Sequence, residues 1–226
     1  YDFVAGNLGL NYKYKASTEE PFEVYSSDFD DNGRLDIVLG YHEHGELFPL
    51  RGKECSTQQL PQLAGKFPSY ESFGMANLRD VYGPDINEAL NYKAKTFASS
   101  YIENLGDGTF KVSKLPNHAQ VSSVNNILTQ DFNGDGYLDL LISGNLYPVE
   151  VETPRNDAGI GLYLTGDGEG NFVPIHPAQS GFLAPFDAKD MKKITLGKGK
   201  NKSTAILVAN NQDRLQLIKY GSELLN

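Results

Sequence analysis

The 226-residue chain has a single cysteine, Cys55, which excludes an internal disulfide and any cysteine-rich zinc site. It has no apolar run near the roughly 18 residues that span a bilayer, so no transmembrane segment is expected. Positive charge is in deficit. Lys and Arg number 20 against 29 Asp and Glu, a formal net charge of −9. That balance argues against nucleic acid or an anionic membrane surface as the main partner. No Gly-x-Ser-x-Gly elbow, P-loop or dinucleotide fingerprint occurs. No signal-peptide pattern is present either, and the first residue is Tyr1, which reads as a mature product or an excised fragment.

What is present points to a folded, strand-rich chain. Hydrophobic residues make up 39% and charged residues 22%, too apolar for disorder. The length suits one ordinary domain or two small ones. The 23 glycines, 13 tyrosines and 12 phenylalanines favour many short strands joined by tight turns.

Internal repetition carries most of the information. Asp28-Phe-Asp-Asp-Asn-Gly-Arg-Leu-Asp36 and Asp131-Phe-Asn-Gly-Asp-Gly-Tyr-Leu-Asp139 share the pattern D-F-[DN]-x-[ND]-G-x-L-D, and an apolar segment follows each. A second echo joins residues 101–110 to residues 161–172, each a short strand, a Gly-Asp-Gly turn and an aromatic that opens another strand. One repeat therefore reads as strand A, acidic loop, strand B, connection, strand C, Gly-Asp-Gly turn, strand D. In the first full copy these fall near 22–28, 35–41, 99–104 and 109–115. In the second they fall near 124–131, 138–144, 161–165 and 171–175. A third copy keeps strands near 191–196, 204–209 and 214–219, lacks strand D, and sets Lys198 and Lys200 where the second acidic loop has Asn133 and Asp135. Val4-Ala-Gly-Asn7 echoes Ser143-Gly-Asn145, so a preceding copy is truncated.

Four antiparallel strands repeated at roughly 60 residues is the pattern of β-propeller blades. The expected fold is mainly β: about three blades, as part of a larger propeller or alone, with a small helical insertion. The expected organisation is a single propeller-type region, 1–226. It comprises a blade remnant at 1–21, a blade at 22–117 carrying the insertion at 52–97, a blade at 118–180 and a partial blade at 181–226. The insertion reads as helical because Ser69 can cap a segment with Phe73, Ala76 and Val81. Pro84 then precedes Ile86, Ala89 and Leu90 at helical spacing. It serves as a cap over a blade edge or the ring face, with a binding lid as the alternative.

The acidic loops suit a hard cation. Alternate residues of a tight loop point inward, so the oxygens of Asp28, Asp30, Asn32 and Asp36 converge, as do those of Asp131, Asn133, Asp135 and Asp139. Main-chain carbonyls of Arg34 and Tyr137 can complete the two shells. Several oxygens in a flexible cage favour calcium over magnesium. An EF-hand does not fit, because its twelfth position should be Glu and here is Leu39 or Ile142, and the flanks are strand-like. Lysine in the third copy excludes an ion there.

These loops, with an apolar strand and a Gly-Asn after the second, resemble FG-GAP/VCBS repeats, the calcium-loop blades of integrin-α-like propellers. The chain is most similar to the bacterial type associated with ASPIC/UnbV domains, on the segments AGNLGLNYKYKAS, FPSYESFG, DFNGDGYLDLLISGN and PAQSGF. The resemblance implies a β-propeller, two calcium ions held in the A–B loops, and an exported location: periplasmic, cell-surface or extracellular. It implies no catalytic residue. The expected role is a calcium-binding, non-catalytic module for binding or scaffolding, with an unknown protein or glycan as ligand and self-association through open blade faces or edges. The alternatives are a glycan-binding module, or part of a polysaccharide-active enzyme that uses the propeller face.

Other constellations are weaker. His42 and His44 alternate at the end of strand B without an identifiable third ligand. Cys55 has no metal-ligand set around it, and His118 and His176 read as loop residues. The connection from Asn145 to Gly161 offers Tyr147, Glu150, Glu152, Arg155, Asn156 and Asp157, which would suit a sugar or peptide, or form an ordinary solvated loop.

Overall fold

The computed structural model describes residues 1–149, 153–199 and 202–220. The architecture is mainly β, built from antiparallel sheets of three or four strands. The strands are β1 (Phe3–Ala5), β2 (Phe22–Ser27), β3 (Asp36–Glu43), β4 (Glu46–Pro49), β5 (Leu90–Ala94), β6 (Ser100–Asn104), β7 (Phe110–Lys114), β8 (Val124–Gln130), β9 (Asp139–Gly144), β10 (Leu162–Gly166), β11 (Phe172–Ile175), β12 (Ala188–Leu196), β13 (Ser203–Asn210) and β14 (Gln216–Tyr220). The helices are α1 (Lys53–Gln59), α2 (Leu63–Lys66), α3 (Tyr70–Gly74), α4 (Leu78–Tyr82) and α5 (Pro177–Ser180). The chain forms two compact units: residues 14–96, and residues 1–13 together with the chain from 97 onward.

The discontinuous unit is a stack of three sheets. The N-terminal sheet has the order β1-β6-β7, the central sheet β11-β10-β9-β8 and the C-terminal sheet β12-β13-β14. Residues one apart along a strand face opposite sides of a sheet, and the central sheet uses both sides. Leu140, Ile142 and Leu164 pack towards the N-terminal sheet with Val4 and Tyr101. Leu141 and Tyr163 pack towards the C-terminal sheet with Met191, Ile206 and Val208. Every residue of β9 is therefore buried, which explains an apolar run without alternation. Each large side chain so covered contributes about 1.5–3 kcal/mol. The Gly-Asp-Gly turns are the hairpins expected of them. Gly106, Gly108, Gly168 and Gly170 all take positive φ, where L-residues are strained.

The unit at 14–96 holds one sheet, β4-β3-β2-β5, with helices on one face. Val38 of β3 packs with Leu78 and Ile86, and Phe29 and Tyr82 continue this cluster into a second one of Leu60, Leu63, Phe67, Phe73 and Val81. Helices of four to seven residues are far too short to be stable alone. Burial against the sheet and good caps hold them. Ser69 starts α3 with a capping box, its Oγ accepting from Ser72 N at 3.0 Å while Ser72 Oγ accepts from Ser69 N at 3.2 Å. Asn77 and Asp80 repeat the device at α4.

Two expectations need correction. Residues 99–104 and 109–115 do form a hairpin, β6-β7, but it pairs with β1 through Phe3↔Ile102, not with β3. The grouping 22–117 is thus divided between two sheets. In the sheet at 14–96, the place beside β3 belongs to β4, and β5 covers the far edge of β2. The insertion 52–97 is accordingly helical only up to Asn87. Leu90, expected on a helix, lies on a strand and is 57% exposed. His44 and Gly45, at φ 52° and 82°, form the two-residue turn that reverses β3 into β4.

Candidate metal centre

Both acidic loops join paired antiparallel strands, β2 to β3 and β8 to β9, and share one hydrogen-bond pattern. In the first, Asp28 Oδ2 accepts from Gly33 N at 2.7 Å, and Asn32 Oδ1 accepts from Arg34 N at 2.9 Å. In the second, Asp131 Oδ2 accepts from Gly136 N at 3.0 Å, and Asp135 Oδ1 accepts from Tyr137 N at 2.8 Å. The aromatic at the second position turns into the core in each: Phe29 beside Tyr82, Phe132 beside Tyr163. Its amide donates to the last aspartate, Phe29 N to Asp36 Oδ2 at 3.1 Å and Phe132 N to Asp139 Oδ2 at 2.9 Å. Backbone handedness matches too, with left-handed φ at Asp31 and Gly33 and at Gly134 and Gly136.

The loops differ in how far their carboxylates converge. Asp28, Asp30 and Asp36 bring one oxygen each within 4.8 Å of one another, which among the described residues is the only such group of His, Cys, Asp or Glu. The second loop carries Asn133 where the first has Asp30, and Asp131, Asp135 and Asp139 form no such group. Asp139 is 0% exposed and its oxygens accept from three donors: Phe132 N, Tyr163 Oη at 2.7 Å and Gly166 N at 3.0 Å. Burial, reinforced by that hydrogen bond and by the charges of Asp139, Asp135 and Asp131, pushes the Tyr163 phenol far above its ordinary range. Asp36 is less enclosed, at 7% exposed, and accepts from Gln59 Nε2 of α1 at 3.1 Å, which ties the first loop to the helices. Asn32 lies in the same loop, its Oδ1 accepting from Arg34 N, and three carboxylate oxygens of one strand-loop-strand segment lie close together. That donor set fits a hard cation.

The lesser candidates are accounted for differently. His42 Nε2 lies 3.5 Å from Glu23 Oε1, and His44 sits in the hairpin turn; neither belongs to a metal-ligand group among the described residues. Burial opposes ionisation of Glu23, but hydrogen bonds from Tyr25, Asn91 and Lys93 and the Lys93 charge outweigh it and hold the carboxyl below the usual range. Cys55 is an exposed thiol on α1. In the 145–161 connection the Arg155 guanidinium stacks 4.4 Å from the Tyr147 ring, so two groups suited to a ligand engage each other. Glu150 and Glu152, like Lys200 of the third copy, lie outside the described residues.

Asn145 is the residue that sequence reasoning undervalued. Wholly buried at φ 92°, it donates through Nδ2 to Gly159 O, Pro185 O and Phe186 O, and accepts at Oδ1 from Gly159 N and Ser122 Oγ. The Gly-Asn that follows the strand was visible, and its signal was backbone closeness. A Cβ on Gly144 would overlap the Ser123 carbonyl, and one on Gly6 the Val124 carbonyl.

No protein-family model, curated protein or solved structure matches the chain.

Proposed function

We infer that this chain is a calcium-binding, non-catalytic segment of propeller blades of the FG-GAP/VCBS type, acting as a binding or scaffolding module of an exported protein. The observation that carries the reading is the convergence of Asp28, Asp30 and Asp36 within a strand-loop-strand segment, in which Asn32 and the Arg34 carbonyl would complete the shell. The stack of three antiparallel sheets, each packed face to face on the next, supports the blade reading. In the second loop, Asp131, Asn133, Asp135 and the Tyr137 carbonyl would bind the ion, with Asp139 bracing the cage through its buried hydrogen bonds. The first loop, with one carboxylate more, fills first.

Calorimetric titration of chelator-treated protein with calcium tests this. Two binding events are expected, in the roughly 10⁻⁴–10⁻³ M range of extracellular calcium modules. At tenfold excess over Kd, each adds about 1.4 kcal/mol of stability. Asp30→Ala should abolish the tighter event and leave the weaker one. Identical melting in EDTA and in millimolar calcium would reject the reading.

A further inference from the structure

We propose that the two acidic loops are sites of spontaneous covalent modification, in which Asn32 and, more slowly, Asn133 lose ammonia to become aspartate or isoaspartate. Each is followed by a glycine, and no other Asn-Gly pair occurs in the 226 residues. The reaction needs only water. The backbone nitrogen of the glycine bonds to the asparagine Cγ, the bond from Cγ to Nδ2 breaks, and the amide leaves as ammonia with the proton that the backbone nitrogen gives up. A five-membered imide remains. Water then opens either of its carbonyls, giving aspartate or the isomer whose main chain runs through the side chain. A glycine leaves the attacking nitrogen uncrowded, and nothing lies within 4 Å of where a Cβ would stand on Gly33 or Gly134.

Both loops place the groups that this step needs. Gly33 N donates to Asp28 Oδ2 at 2.7 Å and Gly134 N to Asp131 Oδ1 at 2.6 Å, so a carboxylate stands where the proton must go. Asn32 Oδ1 accepts from Arg34 N at 2.9 Å and Asn133 Oδ1 from Asp135 N at 3.0 Å. Each donor already bonds the oxygen that gains negative charge as Cγ becomes tetrahedral. The loops differ at the leaving group. Asn133 is half-buried, and its Nδ2 donates to Asp135 Oδ2 at 2.8 Å, a bond that must break before ammonia departs. Asn32 is exposed, and among the described residues no hydrogen bond holds its Nδ2. Asn32 therefore reacts first. Conversion to aspartate adds a carboxylate to the loop of Asp28, Asp30 and Asp36, and the effect of that charge rests on the calcium reading above: it tightens the first cage, while isoaspartate lengthens the loop backbone and loosens it.

The full chain, incubated for weeks in warm neutral buffer with EDTA, tests the assignment, and the chelator makes the outcome independent of calcium binding. Peptide mapping reads a gain of about 1 Da, the exchange of an amide NH₂ for OH, and an isoaspartate methyltransferase with labelled methyl donor marks the isomer. Asn32 should convert at least about tenfold faster than Asn87 and Asn117, which are also exposed but precede Glu88 and His118. Asn133 should lag Asn32 by about three- to tenfold, the worth of one net hydrogen bond. In urea, where the loops are undone, the two rates should come within about twofold of each other. Asp135→Ala frees the Asn133 amide and should raise its rate about threefold or more while Asn32 stays unchanged. Conversion of Asn32 no faster than that of Asn87 and Asn117, native Asn133 reacting as fast as Asn32, an Asn133 rate indifferent to Asp135→Ala, or products without isoaspartate would overturn the proposal.

Discussion

At the scale of single residues, Asp139 shows how one side chain both shapes a loop and supports a sheet. Its carboxylate receives the Phe132 amide within its own loop, and the Tyr163 hydroxyl and Gly166 amide from β10. Truncation to alanine leaves these donors buried without a partner. Hydrogen bonds to a charged group contribute about 1.5–3 kcal/mol, so Asp139→Ala should lose about 3 kcal/mol or more in urea denaturation. Asp135→Ala, at an exposed loop position, should lose less than about 1 kcal/mol in the absence of calcium. Equal losses would mean that the buried network does not anchor the loop. The sequence marked both residues as ligands of one kind, because position in the loop was all it displayed. What separates them is Tyr163, 24 residues away, and no local pattern announces that contact.

At the scale of elements, legibility followed the locality of the signal. Strands β8 to β11 lie close to where they were expected, because a Gly-Asp-Gly hairpin and an acidic loop fix their turns. Strands β4 and β5 were missed. The first is four residues long, behind a His-Gly turn not read as one, and the second follows Ile86 at a spacing that also suits a helix. A window that short cannot separate the two periods. The pairing of β6 with β1 was illegible for another reason: it spans the whole unit at 14–96, and alternation along a strand does not name its partner. The glycine at the end of β9 has a sharper meaning than a turn signal. Since a Cβ on Gly144 would collide with the backbone of Ser123, Gly144→Ala must move β9 or the start of β8. A loss of about 3 kcal/mol or more is expected, in line with severe overpacking. A thermal midpoint within a degree of wild type would show that the strands separate without cost.

At the scale of the molecule, the unit at 14–96 is an insertion in the connection between β1 and β6. Gly9 N donates to Phe97 O at 2.8 Å, and the Tyr12 and Phe97 rings lie 5.8 Å apart, so the chain departs and returns at nearly one point. Replacing 14–96 with a short Gly-Ser linker should leave a cooperatively folding protein whose circular dichroism has lost nearly all its helical signal, since α1 to α4 all go with the excised part. A molten or insoluble product would contradict the division. The outermost faces of the sheet stack make a second demand. Phe3 (54% exposed), Phe110 (49%) and Val112 (62%) lie on the side of the N-terminal sheet opposite Val4 and Tyr101, and Leu215 (63%) and Leu217 (47%) are exposed at the other end. Apolar faces of this kind are normally covered. The isolated chain should therefore show a mass in light scattering that rises with concentration. Phe110→Lys should reduce the rise, and a strictly monomeric wild type would exclude self-association.

The pairing of β1 with β6 also fixes an order of events during synthesis. Strand Phe3–Ala5 leaves the ribosome well before its only strand neighbour among the described residues, which begins at Ser100. At about 5–20 residues per second, the interval is about 5–20 s. Closing so long a loop before anything else has formed is entropically slow. Folding of the unit at 14–96 shortens the effective loop to a few residues on either side of the Gly9–Phe97 contact, so that this unit becomes the step that lets β1 join β6.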